Sequence, residues 1–149
     1  MLHKGDPIPD IKLQDQDGKV VSLNHLKGTP LVIYFYPKDN TKVCTAQACG
    51  FRDNYEQFQG AGAEVIGISR DSSGSHKKVQ NKRKLPFMLL SDPKKKALKA
   101  FGVPSSLFGL IPGRVTFVID KDGKIAHTFR ADFNADSHIK EALKVLKEL

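Results

Sequence analysis

A chain of 149 residues, 40% hydrophobic and 27% charged, has enough apolar material for one sizeable core, so a single domain over 1–149 is expected. Two cysteines are too few for the disulfide framework of a small secreted fold, and no run approaches the ~18 apolar residues of a membrane span. A formal net charge of +8 leaves an acidic partner, a nucleic acid or an anionic surface open.

Residues 5 to 23 predict an N-terminal hairpin. Ile11 and Leu13 alternate with polar residues before the turn Gln16-Asp17-Gly18, and Val20 to Leu23 returns. Leu31 to Tyr36 is an unbroken β-branched and aromatic run, as expected of a strand buried on both faces. A helix is predicted next, with Cys44, Ala48, Phe51, Tyr55 and Phe58 on one stripe and Gly60 and Gly62 closing it. Val65 to Ile68 is a second buried strand, followed by a basic helix from about His76 to Lys84 and a short strand, Phe87 to Leu90. Ser91-Asp92-Pro93 reads as a helix start, with Ala97, Leu98 and Phe101 turned inward and Gly102 as the stop. Residues 103 to 113 read as a loop. Val115 to Ile119 and Ile125 to Phe129 flank the turn Asp120-Lys121-Asp122-Gly123. A last helix from about Asp136 places Ile139, Ala142, Leu143, Leu146 and Leu149 on its core face. Strands alternating with helices, closed by a hairpin and a helix, give a three-layer α/β sandwich around a mixed sheet. That order alone suits thioredoxin-like and flavodoxin-like topologies equally.

Both cysteines lie in the stretch Pro37-Lys38-Asp39-Asn40-Thr41-Lys42-Val43-Cys44-Thr45-Ala46-Gln47-Ala48-Cys49. Cys44 falls at a strand-to-helix junction, where the first backbone N–H groups have no helical partner and the helix dipole favours negative charge. The C-x4-C spacing is not the C-x-x-C of a dithiol donor. At about 100° per residue Cys49 lies about 140° around the helix from Cys44, and residues five apart have Cα atoms on the order of 8 to 9 Å apart. A disulfide tolerates about 4.4 to 6.8 Å, so bonding these two sulfurs requires the first turns of the helix to unwind.

Pro37, Thr41 and Cys44 stand as P-x-x-x-T-x-x-C, which closely resembles the active-site motif of the peroxiredoxins. Tyr34-Phe35-Tyr36-Pro37 before it and Cys44 to Asp53 after it are similar to the peroxiredoxin Q, or bacterioferritin comigratory protein, subgroup. Gly62 to Ser69, Leu85-Pro86-Phe87, Leu90-Ser91-Asp92 and Pro112-Gly113-Arg114 continue the resemblance in the family's order along essentially the whole chain.

The resemblance implies a thioredoxin-like fold, no cofactor, and a peroxidase that reduces hydrogen peroxide and organic hydroperoxides. It implies that Cys44 attacks the peroxide, that Thr41 and the Cys44 N–H hydrogen-bond thiolate and peroxide, and that Arg114 polarises the O–O bond while Pro37 shields the pocket. Cys49 is implied as the thiol that resolves the sulfenic acid, leaving an intramolecular disulfide for thioredoxin or a similar dithiol to reduce. No cysteine lies late in the chain, so a monomer is expected. Lys42-Val43 replaces the subgroup's usual Pro-Gly or Pro-Val, removing a φ restraint. Nothing at the start reads as an apolar signal segment, so the expected setting is intracellular: cytoplasm for a bacterial chain, chloroplast for a processed plant or algal one.

Chemistry alone asks for more than an acidic thiol. A cysteine of pKa ~8.5 is roughly 3% thiolate at pH 7, and a drop to about 6 gains only about 30-fold. In-line positioning and donors to the departing oxygen must supply the remainder. Two alternatives are a thioredoxin-fold disulfide oxidoreductase, disfavoured by the spacing, and a basic binding module. The latter rests on Lys77-Lys78, Lys82-Arg83-Lys84, Lys94-Lys95-Lys96 and Lys99, which lack interleaved aromatics and read first as solvated helix faces with no specific nucleic acid implied. Asp120-x-Asp122-Gly123 lacks oxygen ligands at Lys124 and Ala131 and reads as a plain turn. Leu107, Phe108, Leu110 and Ile111 suggest an apolar wall that favours alkyl peroxides.

Overall fold

The computed structural model describes residues 1–106 and 111–149, without the side chains of 105, 106, 111 and 112. Leu107, Phe108, Leu110 and the side chain of Ile111, the proposed apolar wall, therefore lie outside the described residues. Those residues form β1 (Lys12–Gln14), β2 (Val20–Ser22), β3 (Leu31–Phe35), α1 (Lys42–Asp53), α2 (Tyr55–Gly60), β4 (Glu64–Ser69) and α3 (Ser73–Arg83) in the first half. The second half holds β5 (Met88–Ser91), α4 (Lys96–Phe101), β6 (Ser105–Ser106), β7 (Ile111–Pro112), β8 (Val115–Ile119), β9 (Ile125–Arg130) and α5 (Ala135–Leu146).

Seven strands make one mixed sheet in the order β2-β1-β5-β4-β3-β8-β9. β3 lies inside it, parallel to β4 with Val32 opposite Val65, and antiparallel to β8 with Ile33 opposite Phe117. Alternation along β3 divides the core. Val32, Tyr34 and Tyr36 join Phe51, Phe58, Leu89 and Ile139 on one face, while Leu31, Ile33 and Phe35 join Leu98, Phe101 and Phe117 on the other. Helices α1, α2, α3 and α5 contribute to the first face and α4 covers the second, which is the thioredoxin-like, three-layer arrangement expected.

Several boundaries differ from those read in the sequence. The cysteine helix is two helices, because the chain leaves helical geometry at Asn54 (φ −107°, ψ 11°), whose side chain donates to Gly50 O at 2.8 Å. α3 begins at Ser73, three residues before His76, with Ser72 accepting from Ser75 N at 3.2 Å as the cap. Residues 103 to 113, read as a loop, contain the short antiparallel pair β6–β7. Leu149 lies beyond the end of α5 and is exposed, because the helix stops at Leu146. Asp92 serves α4 from four residues before its start by accepting from Leu98 N at 3.0 Å. The lysines of α3 and α4, including Lys77, Lys78, Lys82, Lys96 and Lys99, face solvent as expected.

Candidate active site

β3 carries its chain to Tyr36, whose N–H extends the ladder to Ile68 O (3.1 Å), and the half-buried Pro37 ends it. The crossing from Pro37 to Thr41 is held from behind. Asp39 is buried and accepts from Tyr36 Oη (2.6 Å) and Ser75 Oγ (2.8 Å), with His76 Nδ1 at 2.8 Å; its own N–H donates to Asp71 Oδ2. Burial alone would push the Asp39 carboxyl up, but the hydrogen bond and charge of His76, with the bonds from Tyr36 and Ser75, hold it below its ordinary value. Asn40 then takes a left-handed conformation (φ 64°) and α1 begins at Lys42. The anchor fixes where the helix starts.

Cys44 is the third residue of α1, so its N–H belongs to the first turn and lacks an intrahelical partner. Thr41 occupies the cap position without a side-chain cap bond. Its hydroxyl donates to Lys38 O at 3.0 Å. The first-turn N–H groups are thus left uncapped by Thr41 beside a sulfur that is 4% exposed. Cys49 is half-buried, and neither cysteine is in a disulfide.

Arg114 reaches this sulfur from the first turn of the sheet's other half. It opens the path into β8, where Gly113 N donates to Pro104 O (2.6 Å) and a Cβ on Gly113 would stand 2.7 Å from that oxygen. The Arg114 side chain is 3% exposed and fully directed: Nη2 donates to Cys44 Sγ (3.2 Å), Nη1 to Gln47 Oε1 (2.6 Å) and Nε to Asp132 O (3.1 Å). Gln47 and Asp132 O are neutral acceptors. A guanidinium has no acceptor of its own, so its contact with sulfur is strongest when the sulfur bears charge.

Arg114 and Cys44 come together at the uncapped start of α1, whereas Pro37 and Thr41 are placed by the chain just before that start and Cys49 lies further along α1. Three participants escaped the sequence reading. Gln47 has no role in that reading, yet it lies about 60° from Cys44 on the helix and is 0% exposed, a polar residue inside an apolar stripe. His76 and Asp39, 37 positions apart, are brought together only by the α3 start at Ser73. A second buried histidine supports Arg114 indirectly: His138 Nε2 donates to Ala131 O (2.7 Å) and Nδ1 faces Thr116 Oγ1 (2.7 Å), fixing the turn that presents Asp132.

Residues 4–128 match the AhpC/TSA family. The chain is 53% identical over 148 residues to the chloroplastic peroxiredoxin Q of Oryza sativa subsp. japonica, covering 99% of this chain and 68% of that one. It is 54% identical to the chloroplastic peroxiredoxin Q of Sedum lineare, covering 99% and 80%. Among solved structures, peroxidoxin BcpB of Mycobacterium tuberculosis superposes with a TM-score of 0.92 at 35% identity, covering 100% of this chain and 99% of that one. The Xanthomonas campestris bacterioferritin comigratory protein, studied for alkyl peroxide reduction, does so at 0.88 and 30% identity, covering 99% and 97%. The family match over residues 4–128 and the full-length likeness to these relatives show that the chain belongs to the AhpC/TSA family, as a thiol peroxidase of the peroxiredoxin Q type.

Proposed function

We propose that this peroxidase works through Cys44 as attacking thiolate and Cys49 as resolving thiol, within one domain spanning the chain. The observation that carries the reading is the 3.2 Å contact from Arg114 Nη2 to Cys44 Sγ, made by a guanidinium whose Nη1 and Nε donate to neutral oxygens. Peroxide enters between Arg114 and the α1 start, with Pro37 limiting water. Thr41 turns its hydroxyl from Lys38 O toward the peroxide, and the Cys44 N–H holds the developing charge.

The Cys44 thiolate attacks the nearer peroxide oxygen. An S–O bond forms, the O–O bond breaks, and the departing oxide takes a proton to leave as water or an alcohol. The Cys49 thiolate then attacks the sulfenic sulfur, forming S–S and expelling hydroxide, which is protonated to water. Since the sulfurs project about 140° apart on a regular helix, α1 unwinds for this step. Thioredoxin or a similar dithiol restores both thiols by exchange.

Hydrogen peroxide and organic hydroperoxides are the substrates, the latter supported by the alkyl peroxide activity of the Xanthomonas relative. The protein acts as a monomer. Its plant relatives are chloroplastic, which supports the chloroplast as its setting. The test is the intact mass and free-thiol count of the reduced protein before and after one equivalent of hydrogen peroxide. Loss of two hydrogens and of both thiols in a monomer is expected; unchanged thiols overturn the cycle.

A further inference from the structure

Tyr34 poses a question that the cycle above leaves unused. Its ring is 1% exposed, stacks on Phe51 (centroids 4.7 Å apart) and Tyr36 (5.4 Å), and lies so close over β4 that a Cβ on Gly67 would stand 2.8 Å from its Cζ and Oη. A phenylalanine would keep the ring stacking and the close approach of the ring to Gly67. Yet the residue carries a hydroxyl, and that hydroxyl has no hydrogen-bond partner among the described residues. Burying an unpaired hydroxyl opposes folding, so its presence asks for a partner that the resting protein does not itself supply.

Tyr34 lines a narrow pocket with Cys44 and Ala48 of α1, Val79 and Arg83 of α3, and Asp39, whose carboxylate is already held by Tyr36, Ser75 and His76. Arg83 Nε is likewise buried without a partner. Arg114 does not line this pocket; it meets Cys44 from elsewhere. Two residues that each carry an orphaned donor therefore line a water-sized space together with the reacting cysteine. What such a space accepts is a single oxygen with lone pairs to offer.

We infer that this pocket is the seat of the oxygen that peroxide leaves on Cys44 Sγ, held by the Tyr34 hydroxyl and Arg83 Nε–H. The inference rests on the peroxidase cycle proposed above. Before oxidation the space is open to a water. After oxidation the S–O oxygen turns into it, and both donors are satisfied while α1 is still wound. The seat therefore stabilises the wound sulfenic form against the unwound form from which Cys49 attacks, and Tyr34 sets how long the oxidised helix stays closed. A second peroxide meets the sulfenic acid in that closed form, so the same hydrogen bonds set the share of Cys44 carried on to sulfinic acid.

The test is rapid-quench mass spectrometry of Tyr34→Phe and Arg83→Met against the parent protein, following the one-oxygen adduct and the disulfide in time. The expected result is a rise of about three- to tenfold in the ratio of resolution rate to peroxide-step rate in Tyr34→Phe, the net worth of one hydrogen bond. Arg83→Met moves the ratio the same way, and excess peroxide yields less two-oxygen adduct in both. An unchanged ratio, as a water-only pocket gives, overturns the assignment. So does an equal slowing of both steps with a lowered melting temperature, which is the mark of a packing role alone. In the Cys49→Ser protein the one-oxygen adduct should persist on Cys44; its absence overturns the peroxidase cycle itself, and this seat with it.

Discussion

Arg114 and Cys44, 70 residues apart in the chain, meet at 3.2 Å between Nη2 and Sγ, both nearly sealed from water. Positive charge in a buried place is costly unless it is met by negative charge or saturated with acceptors. Here two neutral oxygens take Nη1 and Nε, and the sulfur takes Nη2. The guanidinium is held ready for charge that appears on sulfur and oxygen during reaction.

Replacing Arg114 by lysine keeps a charge but loses the planar fork that bonds Gln47, Asp132 and Cys44 together. Arg114→Lys should lower the second-order rate of Cys44 oxidation by about 10²- to 10³-fold, the range for losing one preorganised donor at a developing charge. Competition for peroxide against a reference thiol measures it. A loss under about threefold would place the contact outside the chemistry.

Gln47 controls where that fork points. Its Oε1 takes Nη1 at 2.6 Å, and its Nε2 is buried without a partner among the described residues, facing no competing acceptor. Gln47→Leu removes a hydrogen bond to a charged group, worth about 1.5 to 3 kcal/mol, and leaves Nη1 buried and unpaired. The oxidation rate should fall about ten- to 100-fold with the fold intact by circular dichroism. Gln47→Glu keeps an acceptor for Nη1 but pairs the guanidinium and sets a negative charge beside the thiolate, so it should not recover the rate; full recovery would show that the neutrality of this acceptor plays no part.

The sequence made the scaffold legible wherever a period of two or of 3.6 ran uninterrupted. The run from Leu31 to Tyr36, β3 and the residue after it, shows this: six apolar or aromatic residues divide strictly between the two faces of the core. Where a polar side chain performs a buried task, the pattern gave the wrong sign. Gln47, a polar residue, passes without a role although a helical wheel places it near Cys44, and His76 reads as the start of a basic surface helix although it sits fully buried on Asp39. Those placements depend on partners 67 and 37 positions away, and local periodicity carries no information about them. The break at Asn54 was hidden for another reason: Phe58 remains buried on α2, so the apolar stripe continues across the break between the two helices.

Asp39 links the loop before Cys44 to α3, and its protonation has a definite sign. Its carboxyl lies below the ordinary 3.8 in the folded chain, so it binds a proton more weakly there than when unfolded. The stability it contributes is complete above the unfolded value and is lost as pH falls through the lower, folded one. Asp39→Asn should therefore be less stable than the parent at neutral pH, with the gap in melting temperature narrowing below about pH 4. A gap that stays constant from about pH 7 to 3 would assign the loss to packing.

His138 tests whether support two bonds removed from the sulfur is felt at the active site. It is 0% exposed, and burial, the largest influence, pushes its pKa below the ordinary 6.5 even though the Ala131 carbonyl favours the charged form. A neutral ring fits the geometry, with Nε2 donating to Ala131 O and Nδ1 accepting from Thr116. Because the folded ring takes up a proton less readily than the unfolded one, its contribution is present above about pH 6.5 and drains away as pH falls through the lower folded value. The parent should lose melting temperature from about pH 7 to pH 5, whereas His138→Gln, which keeps a donor for Ala131 O but cannot titrate, should start lower and change less. Since Ala131 precedes the Asp132 carbonyl that holds Arg114 Nε, the same variant should slow Cys44 oxidation several-fold at pH 7, about what a weakened hydrogen bond is worth. Equal pH slopes in the two proteins, with unchanged oxidation rates, would sever the turn from the chemistry.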